Sequence, residues 1–278
     1  MTYKDILVHL DNSASLKGRL NAAATLAQDH QARLTGIFVS PENNIPGYIS
    51  AQIDMDLRTK IADSQNKEVE HVKEIFLTTL KNNYLPGEWV HENGDEIDVL
   101  TKHARYADLL VIGQYDDSDP EILYLQEMPD RLILAAGRPV LVVPYIYKDN
   151  TFGKNIMVGW DASRTSTRAV HDALPILKKS DKTTIMSVKQ SPEGLLNDQL
   201  PGADIAAHLS RHGVNAVADH ITNTEMKPAM TLLASAADLS ADMIVIGAYG
   251  HARFKELVMG GVTRHLLESM PVPVLLSH

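Results

Sequence analysis

The chain repeats itself, and this duplication constrains its fold more than any other feature of the sequence. The segment ADLLVIGQYD at 107–116 matches ADMIVIGAYG at 241–250. At the same offset of 134 residues, RPVLVVP at 138–144 matches VPVLLSH at 272–278. No gap is needed between these two matches, so the sequence predicts two copies of one folding unit.

The boundary between the copies lies in a polar linker. The openings DILVHLDNS at 5–13 and NIMVGWDAS at 155–163 correspond with an offset of 150, because the first copy has a longer middle. The segment YIYKDNTFGK at 145–154 separates the copies and is typical of a short linker. A chain of 278 residues is long enough for two domains of about 140 residues, each with its own core. We therefore expect domains at 1–147 and 152–278.

Short apolar strands and amphipathic helices alternate within each copy. Five segments of the first copy have strand patterns: DILVHL, RLTGIFVS, GEWVHE, DLLVIG and PVLVVP. Segments with helical spacing of apolar residues separate them. The last helix is predicted around 121–136 in the first copy and from about 257 in the second. This alternation predicts an α/β fold with two tandem, open, parallel five-stranded sheets flanked by helices on both faces.

Charge and composition exclude several classes of function. Asp and Glu number 35 against 26 Lys and Arg, and a net charge of −9 disfavours a surface for DNA or RNA. The absence of cysteine excludes disulfides, thiolate nucleophiles and Cys-based zinc sites. The opening MTYKDILVHLDNS has no leader pattern, and no run approaches the roughly 18 apolar residues of a membrane span. We expect a cytoplasmic protein that binds neither nucleic acid nor membrane.

Four glycines follow the buried strand DMIVI of the second copy: Gly247, Gly250, Gly260 and Gly261. Ligands of open parallel sheets lie at the carboxyl ends of the strands, where glycine lets backbone N–H groups approach a phosphate. The spacing fits a phosphate cradle, whereas single glycines at strand ends also serve turns alone. It matches neither the Walker pattern nor the Gly-x-Gly-x-x-Gly of dinucleotide-binding domains.

A strand ending in Asp, IMVGWDAS, followed by ADMIVIGAYGHARFKELVMGGVTRHLLESMPVPVLL, is similar to the universal stress protein family. The resemblance covers nearly the whole chain as a tandem pair. It implies a Rossmann-like fold and a stress-response regulatory module whose second copy binds ATP, or ADP or AMP, with or without Mg²⁺. ATP-binding members carry Gly-x2-Gly-x9-Gly-Ser/Thr at this place, which assigns the phosphates to Gly247, Gly250, Gly260, Gly261, Val262 and Thr263. The resemblance assigns the nucleoside to Gly159, Asp161, Val188 and Ile246.

Gly261 departs from the family pattern, because the family usually has Ser or Thr there. A hydroxyl donor to phosphate is missing, although the backbone N–H remains. Losing one neutral hydrogen bond costs about 0.5–1.5 kcal/mol, which weakens binding about tenfold without abolishing it. Nearby basic side chains that could supply charge to the phosphates are His251, Arg253, Lys255 and Arg264.

The first copy retains Gly113 at the position of Gly247 but loses the rest of the cradle. The positions of the other cradle residues carry Asp116, Gln126, Glu127 and Pro129. Because carboxylates repel an anion, we expect the first copy to bind no triphosphate. Asp11, the counterpart of Asp161, is expected to serve a turn or a helix cap instead. A divalent cation on Asp116, Asp117, Asp119 and Glu121 is an alternative, although the spacing lacks the glycine turn of an EF-hand loop.

The resemblance also implies assembly, since single-domain relatives dimerise. We expect the two copies to pack as a pseudo-dimer through the apolar closing strands PVLVVP and PVPVLLS. Association of two chains into a homodimer and an unidentified protein partner are left open.

Catalysis has little support in the sequence. His208 and His212 are spaced i, i+4, and the segment HARFKELVMGGVTRH ends in His265. Without a third ligand we expect surface or capping histidines and no metal site. Asp161 is assigned to the nucleoside, so any ATP hydrolysis should be slow. Two functions stay open: a nucleotide-responsive stress module and a nucleotide-free tandem scaffold. A slow ATPase is a third.

Overall fold

The computed structural model describes residues 2–41, 55–119, 127–148, 152–189, 202–222, 225–249 and 261–278. The first half contributes five strands: β1 (Asp5–Leu10), β2 (Arg33–Ser40), β3 (Gly87–Asn93), β4 (Leu109–Gly113) and β5 (Val140–Val143). Its described helices are α1 (Leu16–His30), α2 (Met55–Asn82), α3 (Glu96–Ala104) and α4 (Met128–Ala135).

The second half repeats this order. Its strands are β6 (Asn155–Gly159), β7 (Lys182–Lys189), β8 (Ala216–Thr222), β9 (Met243–Gly247) and β10 (Val274–Ser277). Its described helices are α5 (Arg164–Leu177), α6 (Ala203–Arg211), α7 (Pro228–Asp238) and α8 (Gly261–Ser269).

Local sequence explains where several helices begin. Asp95 caps α3 by accepting a hydrogen bond from the Asp98 N–H, and proline stands in the first turn of α4 and of α7, where no N–H donor is needed. The helix predicted around 121–136 begins at Met128 within the described residues, with Glu127 at its N-cap position. The helix predicted from about 257 is described from Gly261.

The ten strands form one sheet in the order β3-β2-β1-β4-β5-β10-β9-β6-β7-β8. The five strands within each half are parallel, and the halves meet where β5 and β10 pair antiparallel. The prediction of two tandem parallel five-stranded sheets is therefore confirmed, as is their pairing through the closing strands. Neither closing strand is left as an exposed edge.

Successive strand residues point to opposite faces of the sheet and enter two separate cores. Ile6 and Val8 belong to one apolar cluster, whereas Leu7 belongs to the other. The first cluster is covered by α1, α2, α5 and α6, and the second by α3, α4, α7 and α8. Both clusters contain residues of both halves, so each core runs through the joint.

None of the described helices is long and apolar enough to cross a membrane.

Candidate functional site

The residues predicted to hold a nucleoside meet at the centre of the second half. Strand β6 lies between β7 and β9, so the strand order reverses beside it. Such a switch point, at the carboxyl ends of parallel strands, is where ligands of open α/β sheets bind. Gly159 ends β6 and pairs with Ile246 of β9, and half-buried Val188 lies near the end of neighbouring β7.

Asp161 lies in a tight turn between β6 and α5. The Ser163 N–H donates to Oδ1 of Asp161 over 2.9 Å, and Ala162 adopts a left-handed conformation with φ of 60°. Ser163 then caps α5 by accepting a hydrogen bond from the Ser166 N–H at 3.1 Å. The turn holds the exposed Asp161 carboxylate just beyond the carboxyl end of β6.

Gly247 has a packing reason for being glycine. A Cβ at this position would overlap the backbone of Thr165 and Ser166 in the first turn of α5. The end of β9 and the N-terminal turn of α5 are therefore in direct backbone contact. The N-terminus of a helix carries free N–H groups and a partial positive charge, so this contact brings an anion-binding element to the end of β9.

Gly159 and Ile246 are matched to each other. A Cβ on Gly159 would lie 2.9 Å from Cγ2 of Ile246, so the missing side chain of one residue makes room for the other. Ile246 is only 5% exposed and belongs to the core.

The N-terminus of α8 carries three of the predicted phosphate residues. Gly261 and Val262 are exposed, whereas Thr263 is buried and its Oγ1 lies 3.5 Å from the Tyr249 N–H. Among the described residues, a Cβ on Gly261 would meet nothing within 4 Å. The predicted site residues Gly250, His251 and Gly260 lie outside the described residues, as do Arg253 and Lys255.

In the equivalent turn of the first half, neighbouring side chains bind the aspartate. Asp11 is buried, and its Oδ1 accepts from Nη2 of Arg19 at 2.5 Å and from the N–H and hydroxyl of Ser13. Burial alone would raise the pKa of Asp11, but the Arg19 guanidinium and His9 hold it well below its usual range. Asp11 does form the predicted turn, and it is also half of a buried ion pair.

The Arg19 side chain lies between Asp11 and Gly113 at the end of β4. Its guanidinium lies against Gly113, so a Cβ on that glycine would overlap it. Ala169 stands at the equivalent position of α5, at the offset of 150 residues that relates Asp11 to Asp161. Gly113 is therefore contacted by a guanidinium, whereas the equivalent Gly247 is contacted by the backbone of Thr165 and Ser166.

The acidic loop after β4 folds back onto the first half. Oδ2 of Asp119 accepts a hydrogen bond from the Ala14 N–H at 3.0 Å, and Oδ1 of Asp116 accepts from the N–H and hydroxyl of Ser118. A carboxylate of the chain itself thus lies just ahead of α1. Glu121, the last member of the predicted cation alternative, lies outside the described residues.

Three histidines meet on the surface of the second half. The ring of His208 lies 4.7 Å from that of His212 and 5.3 Å from that of His171 on α5. The third neighbour, His171, was not expected from sequence. No three His, Asp or Glu side chains in the described part of the chain are arranged to hold a metal ion.

The sequence interpretation missed two groups of polar residues. Arg19 lies three residues after Leu16 and next to Leu20, and all three are buried on α1. The second half has Ala169 at the equivalent position, and this difference is the signal that could have revealed the role of Arg19. The second group consists of Tyr249 and Asp130, whose hydrogen bond joins the two halves. Residues so distant in sequence leave no local signal.

Comparison with known proteins agrees with the fold. The model of the universal stress protein family matches residues 2–144 and 153–278. A universal stress protein of Synechocystis sp. is 20% identical over 293 residues, which cover 98% of this chain and 99% of that protein.

Two crystal structures are similar along their whole length. A universal stress protein from Archaeoglobus fulgidus has a TM-score of 0.76 at 16% identity, with 98% of this chain and 95% of that chain covered. A putative universal stress protein from Pseudomonas aeruginosa has a TM-score of 0.62 at 14% identity, with coverages of 99% and 93%. At these identities the likeness supports the fold alone.

Proposed function

The chain belongs to the universal stress protein family, and from this premise we propose that it is a regulatory module whose second half binds one adenine nucleotide. ATP is the proposed ligand, with ADP and AMP as less demanding alternatives. Occupancy of the cleft would change a surface recognised by a partner protein in the cytoplasm. Association of two chains is part of the same proposal.

The contrast between Asp161 and Asp11 carries the proposal. Asp161 is exposed and the residue at the position of Arg19 is the uncharged Ala169, whereas Asp11 is buried against Arg19. A buried ion pair is costly to break, because removing one partner leaves the other charge uncompensated. A ligand of the first half would have to break that pair. This difference supports one nucleotide per chain.

The proposed roles follow the order of the cleft. The Asp161 carboxylate accepts hydrogen bonds from the ribose hydroxyls, and the backbone of Val188 contacts adenine above the apolar floor formed by Ile246. The backbone N–H groups of the glycine segment and of α8 bind the phosphates. The proposed phosphate residues are Gly247, Gly250, His251, Gly260, Gly261, Val262 and Thr263. Mg²⁺ would enter with ATP, on the phosphates.

A nucleotide-free scaffold is the competing function, and one observation favours it. Gly247 is required by its contact with α5 whether or not a phosphate binds. Slow ATP hydrolysis is a weaker third candidate, because the Asp161 carboxylate already accepts from its own turn and general-base catalysis requires a group that reaches the attacking water.

Isothermal titration with ATP and Mg²⁺ tests the proposal on the full chain. We expect one equivalent to bind to the native protein. Ala169→Arg would copy the ion pair of the first half, and Gly250→Asp would copy its acidic loop, so both should abolish binding. Asp116→Gly is the matched control in the first half and should leave one equivalent. Absence of binding by the native chain would favour the scaffold function. Binding of two equivalents would refute the claim that the first half binds no nucleotide.

A further inference from the structure

A tyrosine of the second half is held by an acid of the first. The hydroxyl of Tyr249 donates a hydrogen bond to Oδ1 of Asp130 on α4. Asp130 is only 9% exposed, and Tyr249 is half-buried. Tyr249 follows the end of β9 by two residues and directly precedes Gly250. The contact therefore reaches from the first half to the start of the proposed phosphate segment.

The backbone of Tyr249 is in a conformation that needs support. Its φ of 58° lies in the left-handed region, which is unfavourable for a bulky side chain. The tyrosine ring lies edge-on to His278 at 6.3 Å, and Nδ1 of His278 lies 3.2 Å from the carbonyl oxygen of Ala248. The N–H of the same tyrosine points at Thr263 of α8. Fixing the Tyr249 ring thus fixes the point where β9 meets the N-terminus of α8.

The equivalent contact is missing on the other side of the joint. At the offset of 134 residues, Tyr249 corresponds to Tyr115, and Asp130 corresponds to Arg264. Tyr115 and Arg264 both line a cavity of about 370 Å³ between the halves. Arg264 pairs with Glu268 at 2.9 Å, and the described residues show no hydrogen bond between Arg264 and Tyr115. Only the half that retains the glycines has its tyrosine held in this way.

We infer that Asp130 is a positioning residue for the nucleotide site of the other half: through Tyr249 it holds the phosphate-binding end of β9 and α8 in its binding geometry. The inference rests on the proposed function of the second half. Because coupling between two groups is reciprocal, nucleotide binding in turn strengthens the contact between the halves. The first half, whose own cleft is filled, then serves the site of the second.

Nucleotide titration of four full-length proteins tests this inference. Tyr249→Phe and Asp130→Ala each remove the hydrogen bond, and Tyr115→Phe is the matched control because it removes the equivalent hydroxyl on the other side. We expect Tyr249→Phe and Asp130→Ala to weaken ATP binding about tenfold, as for loss of one hydrogen bond to a charged group. Adenosine, which has no phosphates, should bind within about twofold of the native affinity in all four.

A general loss of stability would weaken the binding of ATP and of adenosine alike. The difference between the two changes in affinity therefore separates a positioning effect from damage to the fold. Equal ATP affinities for Tyr249→Phe and Tyr115→Phe would overturn the inference. If the native chain binds no ATP, the proposed function fails, and amide hydrogen exchange of residues 247–263 decides the positioning claim. Faster exchange in Tyr249→Phe than in Tyr115→Phe would support that claim, and equal exchange would refute it.

Discussion

Leu141 lies directly opposite Leu275 in the antiparallel pair of β5 and β10, and each residue is the counterpart of the other in the internal repeat. The pseudo-two-fold axis of the molecule therefore passes through this pair. Both side chains are fully buried in the same core. The joint between the halves is thus a self-complementary strand edge with a shared core beneath it.

The second half alone should dimerise, because removing the first half leaves β10 as an apolar, unpaired edge. A fragment of residues 152–278 is expected to form a dimer by pairing two copies of β10. Size-exclusion chromatography with light scattering measures its mass. The same fragment with Leu275→Asp should not form this dimer. A stable, cooperatively folded monomer of the unmodified fragment would contradict the prediction.

Gly247→Ala should destabilise the fold independently of any ligand. Its methyl group would overlap the backbone of α5, and overpacking against a fixed backbone costs about 1–3 kcal/mol. Urea denaturation without nucleotide measures the change in the free energy of unfolding. Gly261→Ala is the control, since its methyl group contacts no residue in the described part of the chain. Equal stability of the two variants would show that the end of β9 shifts to accept a side chain.

Gly261→Ser should strengthen ATP binding. No described residue would clash with a side chain at position 261, and the new hydroxyl supplies the phosphate donor that the family pattern carries at this position. One added hydrogen bond corresponds to about tenfold in affinity at most. Titration calorimetry compares this variant with Gly261→Ala, which adds a methyl group without a hydroxyl. An affinity no higher than that of Gly261→Ala would place the phosphates elsewhere.

Arg19→Met should destabilise the first half strongly. It leaves the Asp11 carboxylate buried without its cation, and loss of one partner of a buried pair typically costs about 3–5 kcal/mol. The double variant Arg19→Met with Asp11→Leu removes both charges and should recover most of that loss. Chemical denaturation of the two proteins provides the comparison. If the single variant were as stable as the double, the ion pair would contribute nothing.

Protonation of His30 should lower the free energy of unfolding in mild acid. Burial, and then the neighbouring Lys179, lower the pKa of His30 from 6.5 to about 4, so the folded state binds this proton less readily than the unfolded state. The loss is absent above pH 6.5, grows as the pH falls toward 4, and is complete below it; it amounts to at most about 3 kcal/mol. Urea denaturation at pH 7 and at pH 4.5 measures it.

The variant His30→Gln tests the source of that pH dependence. Glutamine carries no proton to exclude, so the difference in stability between the two pH values should shrink. His71→Gln changes an exposed histidine on α2 and serves as the control. An unchanged pH dependence in His30→Gln would assign the acid sensitivity to other groups.

The internal repeat and the apolar patterns were enough to predict the strands, both parallel sheets and their pairing through the closing strands. Each of these follows from periodicity or from the edge that an isolated sheet would expose. The filling of the first cleft could not be predicted in the same way, because Arg19 looks like an ordinary charged residue until the fold brings it against Gly113. The bond between Tyr249 and Asp130 depends on how the halves pack, and no local pattern encodes it.

Joining the halves in one chain frees equivalent positions from having to be identical. An assembly of two identical subunits would place two aspartates, or two arginines, where this chain has Asp130 and Arg264. The fused chain carries one of each, so one half can support the site while the other half binds the ligand. If each chain binds one nucleotide as proposed, a single chain would respond to nucleotide concentration along a simple hyperbola, and cooperativity would require two chains to associate.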